Sequence, residues 1–450
     1  MVSTPEPAPE SHPSERTFEI LVHRQKIPGL DALLLKADRE YLYWDKFKHL
    51  PMPDGLTAAE VWPALKLVRS LNGRSTPIQD VHGHLFWYSL TGELQRSLML
   101  IDQQAGGRIG TRVPEITPDS QRTYLLSRLM EEAIASSQIE GAATTRRDAK
   151  EMLRTGRKPR TRGERMILNN YRTIQQIRGL LDQELSPSLL LELQASLTEG
   201  TLDDSSESGR FRTDVDDDIV VRDFMGQVVH VPPKAHEVPA HLKELCRFAN
   251  SEGEHFVHPV LRAILLHFWL AYLHPFCDGN GRTARALFYW SSLKSGYRLF
   301  EYVSISRVIV RRRAQYERAF LCSEADDGDA TYFATFHLKA IEKALSEFWE
   351  YVERKTKEDG DLQREVAVGA GLNYRQRAVL TRALKDSAAR FTIESHRASH
   401  DVAYATARAD LLDLAERGYL VQMRQGRAYV FAPVPDLPDR LAGAPTSPAG

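Results

Sequence analysis

Twelve consecutive residues, His274-Pro-Phe-Cys-Asp-Gly-Asn-Gly-Arg-Thr-Ala-Arg285, hold a candidate proton acceptor, a hard carboxylate, two glycines around an amide and two guanidinium groups. Imidazole titrates near neutrality, so His274 is suited to take a proton from an attacking hydroxyl. Asp278 offers oxygen to Mg²⁺, which binds one or two carboxylates and completes its shell with phosphate and water. Gly279 and Gly281 admit backbone angles and a close approach that a side chain blocks, and the side-chain amide of Asn280 adds a donor. Arg282 and Arg285, three residues apart, reach along one side of a helix toward further phosphates. The apolar run Val257–Leu273 before the motif reads as a helix, and Thr283–Tyr289 resumes one after it. The motif therefore bridges two helices, with its glycines where the free N–H groups and positive dipole end of the second can hold an anion. The alternative, a glycine-rich connection with incidental charges, leaves the coincidence of so many chemically distinct groups unexplained.

This run resembles the signature of Fic-domain proteins, His-x-Phe-x-(Asp/Glu)-Gly-Asn-Gly-Arg-x-x-Arg, and every specified position is filled. Enzymes of that family mostly transfer AMP from ATP to a Ser, Thr or Tyr hydroxyl of a protein and release pyrophosphate. The resemblance implies that His274 is the base and Asp278 the ligand of Mg²⁺, or of Mn²⁺ in its place. It makes Gly279, Asn280 and Gly281 an anion hole, Arg282 and Arg285 the clamps on the β- and γ-phosphates, and Phe276 an anchor of the loop in the core.

A second run, Ser136-Ser-Gln-Ile-Glu140-Gly141, ends a helical segment that begins near Leu125. Ser136 and Glu140 are four apart and share a helix face. By itself the run is also compatible with a helix ending at a glycine, Glu140 lying on a solvated face. It matches the Fic inhibitory pattern (Ser/Thr)-x-x-x-Glu-(Gly/Asn), whose glutamate pairs with the second signature arginine, here Arg285. An arginine held by a carboxylate cannot also clamp the γ-phosphate, so the α-phosphate is misaligned for in-line attack. The same glutamate could instead orient water, turning the pocket into a hydrolase that removes AMP from a modified protein.

Composition bounds the rest. The chain has 450 residues, 42% hydrophobic and 26% charged, which suits two or three globular domains. A net charge of −1 gives no global attraction to nucleic acid or anionic membranes. Cys246, Cys277 and Cys322 are too few for a disulfide framework or a cysteine zinc site, so a reducing cytoplasm is expected. The apolar stretch Phe256–Leu273 is interrupted by His258, Arg262 and His267 and reads as a buried core helix; no membrane span is expected.

The elements that must position these residues are mainly helical. The expected organisation is a disordered tail (1–17), an amino-terminal extension (18–115), a Fic-type helical core that includes the inhibitory helix (116–357), a linker (358–371), a winged-helix domain (372–432) and a second disordered tail (433–450). In the extension, Ala58–Leu71 and Tyr88–Asp102 look helical. In the core, apolar residues recur at three- and four-residue spacing in Leu125–Ile139, Ile167–Leu181, Leu189–Leu197, His241–Ala249 and Tyr332–Tyr351. One segment breaks that pattern. Asp218–Arg222 and Gln227–Val231 flank a turn and read as a β-hairpin, ended by Pro232 and Pro233. By resemblance it is a flap in which Ile219, Val220 and Val221 align a target segment through backbone hydrogen bonds; otherwise it merely covers the core.

In the last module, Leu372–Leu384, Ile393–His400 and Tyr404–Arg417 read as helices, and Tyr419–Met423 and Arg427–Phe431 as a hairpin. The order resembles a winged helix-turn-helix, with Thr406 and Arg408 on the recognition helix. Ten basic and six acidic residues between Leu372 and Phe431 leave a net charge of +4, compatible with phosphate contacts. DNA binding and protein interaction both remain open, since winged helices serve either. The basic run Arg154–Arg165 reads as a solvated loop, with no interleaved aromatic residues. The expectation is thus an autoinhibited protein adenylyltransferase acting on an unidentified protein or on itself, with homodimer formation common among relatives. The alternatives are the AMP-removing hydrolase and a nucleotide-sensing DNA-binding regulator.

Overall fold

The computed structural model describes residues 5–9, 13–106, 118–216, 218–222, 225–250, 255–367, 371–400, 402–425 and 428–441. The chain divides into two compact units, Met1–Phe348 and Trp349–Gly450. The first begins with helices α1 (Glu15–Val22), α2 (Leu30–Arg39), α3 (Trp44–Phe47) and α4 (Ala58–Leu71), the strands β1 (Gly73–Gln79) and β2 (Leu85–Ser89), and α5 (Gly92–Ala105). It continues through α6 (Pro118–Ile139), α7 (Arg146–Thr155), α8 (Arg162–Ile177), α9 (Pro187–Thr198), β3 (Val221–Arg222), β4 (Val228–His230), α10 (Val238–Asn250), α11 (Pro259–Leu273), α12 (Asn280–Lys294), α13 (Ile305–Arg311), α14 (Arg313–Ala325) and the first part of α15 (Thr331–Ala367), a helix that ends in the second unit.

Helix starts follow the local chemistry. Thr57 and Glu60 close a reciprocal capping box on α4, and Thr145, Thr161 and Ser186 each accept a backbone N–H at the start of α7, α8 and α9. Helix α11 is apolar around most of its circumference and forms the centre of the core; Phe268, Trp269 and Leu270 are fully buried. Among the described residues no helix is long and apolar enough to cross a membrane. A buried polar network fastens the amino-terminal helices to the turn between α14 and α15. Lys66 lies 2.9 Å from Asp326, Tyr41 donates to Asp329, and Arg69 reaches Tyr332 and the carbonyls of Ala37 and Leu42.

Several expectations change. Tyr88 belongs to β2, and α5 starts at Gly92, where Thr91 caps it. The antiparallel pair β1–β2 was not anticipated, although Asp80-Val-His-Gly83 is a turn signal: Asp80 accepts from the N–H groups of His82 and His84. Part of the expected amino-terminal tail is placed, since Tyr43 donates to the Glu6 carbonyl and α1 begins at Glu15 behind its cap Ser14. The expected hairpin is present but shorter, with only Val221–Arg222 and Val228–His230 paired; Asp223 and Phe224 of its turn lie outside the described residues. Helix α15 continues to Ala367, through most of the expected linker, because Glu, Lys, Gln, Arg and Leu there favour helix and Gly360 alone does not end it.

The second unit contains α16 (Tyr374–Lys385), β5 (Phe391–Thr392), α17 (Ile393–His400), α18 (Tyr404–Glu416), β6 (Leu420–Gln425), β7 (Ala428–Pro433) and α19 (Leu437–Leu441). Its strands pair antiparallel in the order β5-β7-β6. Val379, Leu380, Leu411, Leu414 and Phe431 form its core. Helix α19 overturns the expectation of disorder from residue 433 as far as Leu441, because Leu437 and Leu441 are buried in that same core. Residues 442–450 lie outside the described ones.

Candidate active site

The loop between α11 and α12 carries His274 to Gly279, and its shape follows from how α11 stops. His274 adopts the left-handed conformation (φ 47°, ψ 55°), which ends the helix and which a non-glycine residue adopts only when its surroundings hold it there. The surroundings are specific. Arg212, 4% exposed, donates from Nε to the His274 carbonyl at 2.9 Å and from Nη2 to the carbonyls of Leu273 and Pro233. His230, at the end of β4, donates from Nε2 to the Tyr272 carbonyl at 2.7 Å and faces Glu324 with Nδ1 at 2.8 Å. Two groups from the flanks of the hairpin thus satisfy the last carbonyls of α11 beside His274.

Beyond His274 the loop turns inward. Phe276 is fully buried and stacks on Phe211 with centroids 5.3 Å apart, as expected of the loop's anchor. Asn280 was expected to offer its side-chain amide to an anion. Instead Oδ1 accepts from Phe276 N–H at 2.9 Å and Nδ2 donates to the Phe276 carbonyl at 2.7 Å. The side chain is therefore committed to closing the loop, and what Asn280 presents to an anion is its backbone N–H at the first position of α12. Gly279 caps α12 with φ 87°, and a Cβ there would stand 2.8 Å from Thr198 Cγ2 on α9. Gln194, fully buried on α9, donates to the Asp278 carbonyl and accepts from Gly209 N–H, tying the loop to the segment that leads to Arg212.

Asp278 keeps 43% of its side chain exposed. Its Oδ1 accepts from Gly279 N–H and from Arg282 Nη2 at 3.3 Å, while Oδ2 lies 3.8 Å from Arg162. Arg282 is 1% exposed and also donates to the Leu197 carbonyl. Arg162 comes from the basic run expected to be a solvated loop; half exposed, it nonetheless reaches the edge of the site. Among the described residues no three His, Cys, Asp or Glu side chains converge as a metal cluster.

The last motif arginine meets the second motif. Arg285 is 4% exposed; Nε donates to Ser136 Oγ at 2.8 Å, and Nη2 donates to the Ser136 carbonyl at 2.8 Å and to Glu140 Oε1 at 2.9 Å. About a third of the Glu140 side chain stays exposed, while Ser136 is buried. Gly141 follows with φ 85°, the left-handed turn that ends the segment. A Cβ built on Gly281 would overlap Glu140 Oε1 and approach Arg285 Nη1. The carboxylate is thus packed directly on the backbone at the start of α12.

Electrostatics follow from this packing. Burial pushes the His274 imidazole down to about 4, assisted by the field of His230 and outweighing the opposing pull of Glu140, so it is neutral at neutral pH with a lone pair to accept a proton. Burial opposes ionisation of Glu140, but Arg285 and Arg282 outweigh it and hold the carboxyl below its usual range. Burial likewise opposes the Arg285 charge, and Glu140 overrides it.

The structure therefore gathers His274, Asp278, Gly279, Asn280, Gly281, Arg282, Arg285, Ser136, Glu140 and Gly141 at one place. Val221 lies on β3 with Ile219 and Val220 just before it, all half-buried, in the hairpin whose partner strand supplies His230. Sequence reasoning missed Arg212, His230, Gln194 and Arg162. Arg212 and His230 had a weak signal, two groups able to cap carbonyls on either side of the expected hairpin; Gln194 had none.

Residues 184–291 match the sequence model of the Fic/DOC family. Over 116 residues the chain is 33% identical to the protein adenylyltransferase Fic of Drosophila yakuba and 32% identical to that of Drosophila melanogaster. Each match covers 26% of this chain and 22% of the relative, so the chain spans about a fifth of the length of these curated relatives. The crystal structure of a Fic family protein from Desulfovibrio desulfuricans G20 has the same fold: the TM-score is 0.52 at 20% identity, covering 77% of this chain and 98% of that one.

Proposed function

We propose that this chain, which carries a Fic/DOC domain at residues 184–291, is a protein adenylyltransferase held in check by its own Glu140. The observation that carries the reading is a neutral His274 beside an anion-ready helix start whose Arg285 is already occupied by Ser136 and Glu140. In the reaction, His274 takes the proton from a Ser, Thr or Tyr hydroxyl of a target protein as its oxygen bonds to the α-phosphorus of ATP. The bond from that phosphorus to the β-bridging oxygen breaks and pyrophosphate leaves. The backbone N–H groups at the start of α12 stabilise the developing charge, and Arg282 and Arg285 neutralise the departing phosphates. Asp278 fits Mg²⁺ arriving with the triphosphate: it is one half-exposed carboxylate, and that cation draws most of its shell from phosphate and water. When bound, the cation would neutralise phosphate charge. The hairpin supports docking of an extended target segment, since Val221 pairs with His230, which donates to the last turn of α11 just before His274.

Glu140 inhibits by competing. Its carboxylate pairs with Arg285 and rests on Gly281, so a triphosphate can displace it only by breaking the ion pair and taking the same space. Exchange of label from α-labelled ATP into protein tests the reading: Glu140→Gly should raise it and His274→Ala abolish it. No incorporation by a folded Glu140→Gly form with Mg²⁺ or Mn²⁺ would sink the transferase assignment.

The reverse activity rests on one observation, an ionised, partly exposed Glu140 within the electrostatic reach of His274. Those groups could orient water and release AMP from a modified protein, and such release by the unaltered chain would favour the hydrolase. The three unpaired cysteines accord with a cytoplasmic setting.

A further inference from the structure

The helix that leads into the inhibitory motif is fastened at a second point, away from Arg285. Glu132, Ser136 and Glu140 recur every fourth residue along α6 and the turn after it, so they share one face. Arg285 and Tyr289 are likewise four apart on α12. Ser136 and Glu140 meet Arg285 directly, whereas Glu132 and Tyr289 both hold the residues that open α13. Ser304 caps that helix by accepting from Arg307 N–H, and its hydroxyl donates to Glu132 Oε2 at 2.9 Å. Ser306 donates to Glu132 from its backbone N–H at 3.1 Å and also from its hydroxyl. From the α12 side, Tyr289 donates to the Val303 carbonyl at 3.1 Å and accepts from Ile305 N–H at 3.0 Å.

Glu132, Ser304 and Ser306 are all buried, so water does not compete for these bonds, and a carboxylate that lost them would be left short of partners. The bonds span 172 and 174 residues and therefore tie α6 to a separate element. The adjacent Glu131, by contrast, pairs with Arg146 only 15 residues on and closes the local passage from α6 into α7. What Glu132 holds in place is the end of α6. Arg285 donates twice to Ser136 and once to Glu140, so a rotation of the Glu140 side chain frees one bond, while withdrawal of the end of α6 frees all of them.

We propose that Glu132 is a positioning residue of the brake: bound to the start of α13, it keeps Ser136 and Glu140 on Arg285. The proposal rests on the adenylylation reading for its effect on transfer, but not for its effect on ATP binding. Glu132→Gln turns an amide toward the serine donors, and Ser306→Ala, which deletes one buried hydroxyl, loosens the same contact with little risk to folding. Each is made with Glu140 intact and with Glu140→Gly, and two quantities are measured: incorporation of label from α-labelled ATP, and the Kd for ATP with Mg²⁺ by calorimetry. With Glu140 intact, both substitutions should raise incorporation and ATP affinity by up to roughly tenfold, the equivalent of one hydrogen bond to a charged group. With Glu140→Gly they should add nothing, because the residue they act through is gone. A merely structural role would lower both quantities. Unchanged or weaker ATP binding in folded Ser306→Ala, or an equal gain in the Glu140→Gly background, would overturn the proposal. No incorporation by any form, with the expected pattern of ATP affinities, would refute the transferase reading and still support the role of Glu132.

Discussion

Replacing Glu140 tests the proposed block and separates its two components. Its carboxylate gives Arg285 a charge-assisted hydrogen bond at 2.9 Å and also fills the space over Gly281. Hydrogen bonds between charged groups contribute about 1.5–3 kcal/mol, equivalent to roughly 10- to 150-fold in an equilibrium. A third of the Glu140 side chain is in water, so solvent screening pulls the expected gain toward the lower end, roughly tenfold to fiftyfold. Glu140→Gln keeps the bulk and loses the charge, so it should recover only part of this; Glu140→Gly removes both and should recover all of it. Arg285 keeps its hydrogen bonds to Ser136 Oγ and the Ser136 carbonyl in either variant but loses the carboxylate that offsets the burial of its charge, so thermal stability should fall. The assay is the rate of incorporation of label from α-labelled ATP, with kcat and KM for ATP determined separately. Equal gains from Gln and Gly would show that charge alone is the block, and no gain from either in folded protein would refute the competition argument.

Arg212→Ala should lower kcat more than tenfold with little change in KM for ATP, because Arg212 touches the carbonyls that shape the His274 turn rather than the site of the phosphates. It should also lower the melting temperature, reflecting about 3 kcal/mol or more of lost charge-assisted hydrogen bonds, with Arg212→Lys recovering only part. Asn280→Ala should destabilise by about 2–4 kcal/mol, read by denaturant titration, since it leaves the buried N–H and carbonyl of Phe276 unpaired. The pH profile of the Glu140→Gly form reports His274. A base works unprotonated, so the rate is lost as pH falls through its folded pKa, and the acidic limb should lie at or below about 4 rather than near the ordinary 6.5, all the more because Glu140 had been raising it. A limb near 6.5 would mean that His274 is more solvated than the structure shows.

How much could be read from the chain alone depends on how far apart the interacting residues are. From His274 to Arg285 the chemistry is contiguous, and residue types with their spacing were enough to propose a base, a carboxylate ligand and an anion-holding helix start. Helices α8 to α12 announced themselves through apolar periodicity, which the helix geometry imposes on any amphipathic segment. The pairing of Glu140 with Arg285, 145 residues away, was reachable only through the likeness of two motifs to a family pattern, and the atoms in contact were not. Asn280 illustrates the limit: its amide has the same donors whether it faces an anion or Phe276, and only the closed loop decides between them. Arg212, His230 and Gln194 lie on segments remote from the motif and leave no periodic trace, yet they hold His274 and Asp278 in place. The short pairing of β3 with β4, the unanticipated strands β1 and β2, and the docking of α19 are likewise outcomes of packing between distant segments. Sequence by itself determined which groups are available and which local helices form; the tertiary structure decided which groups are already occupied, because a side chain's partners are set by burial and long-range approach, and these are not written in local spacing.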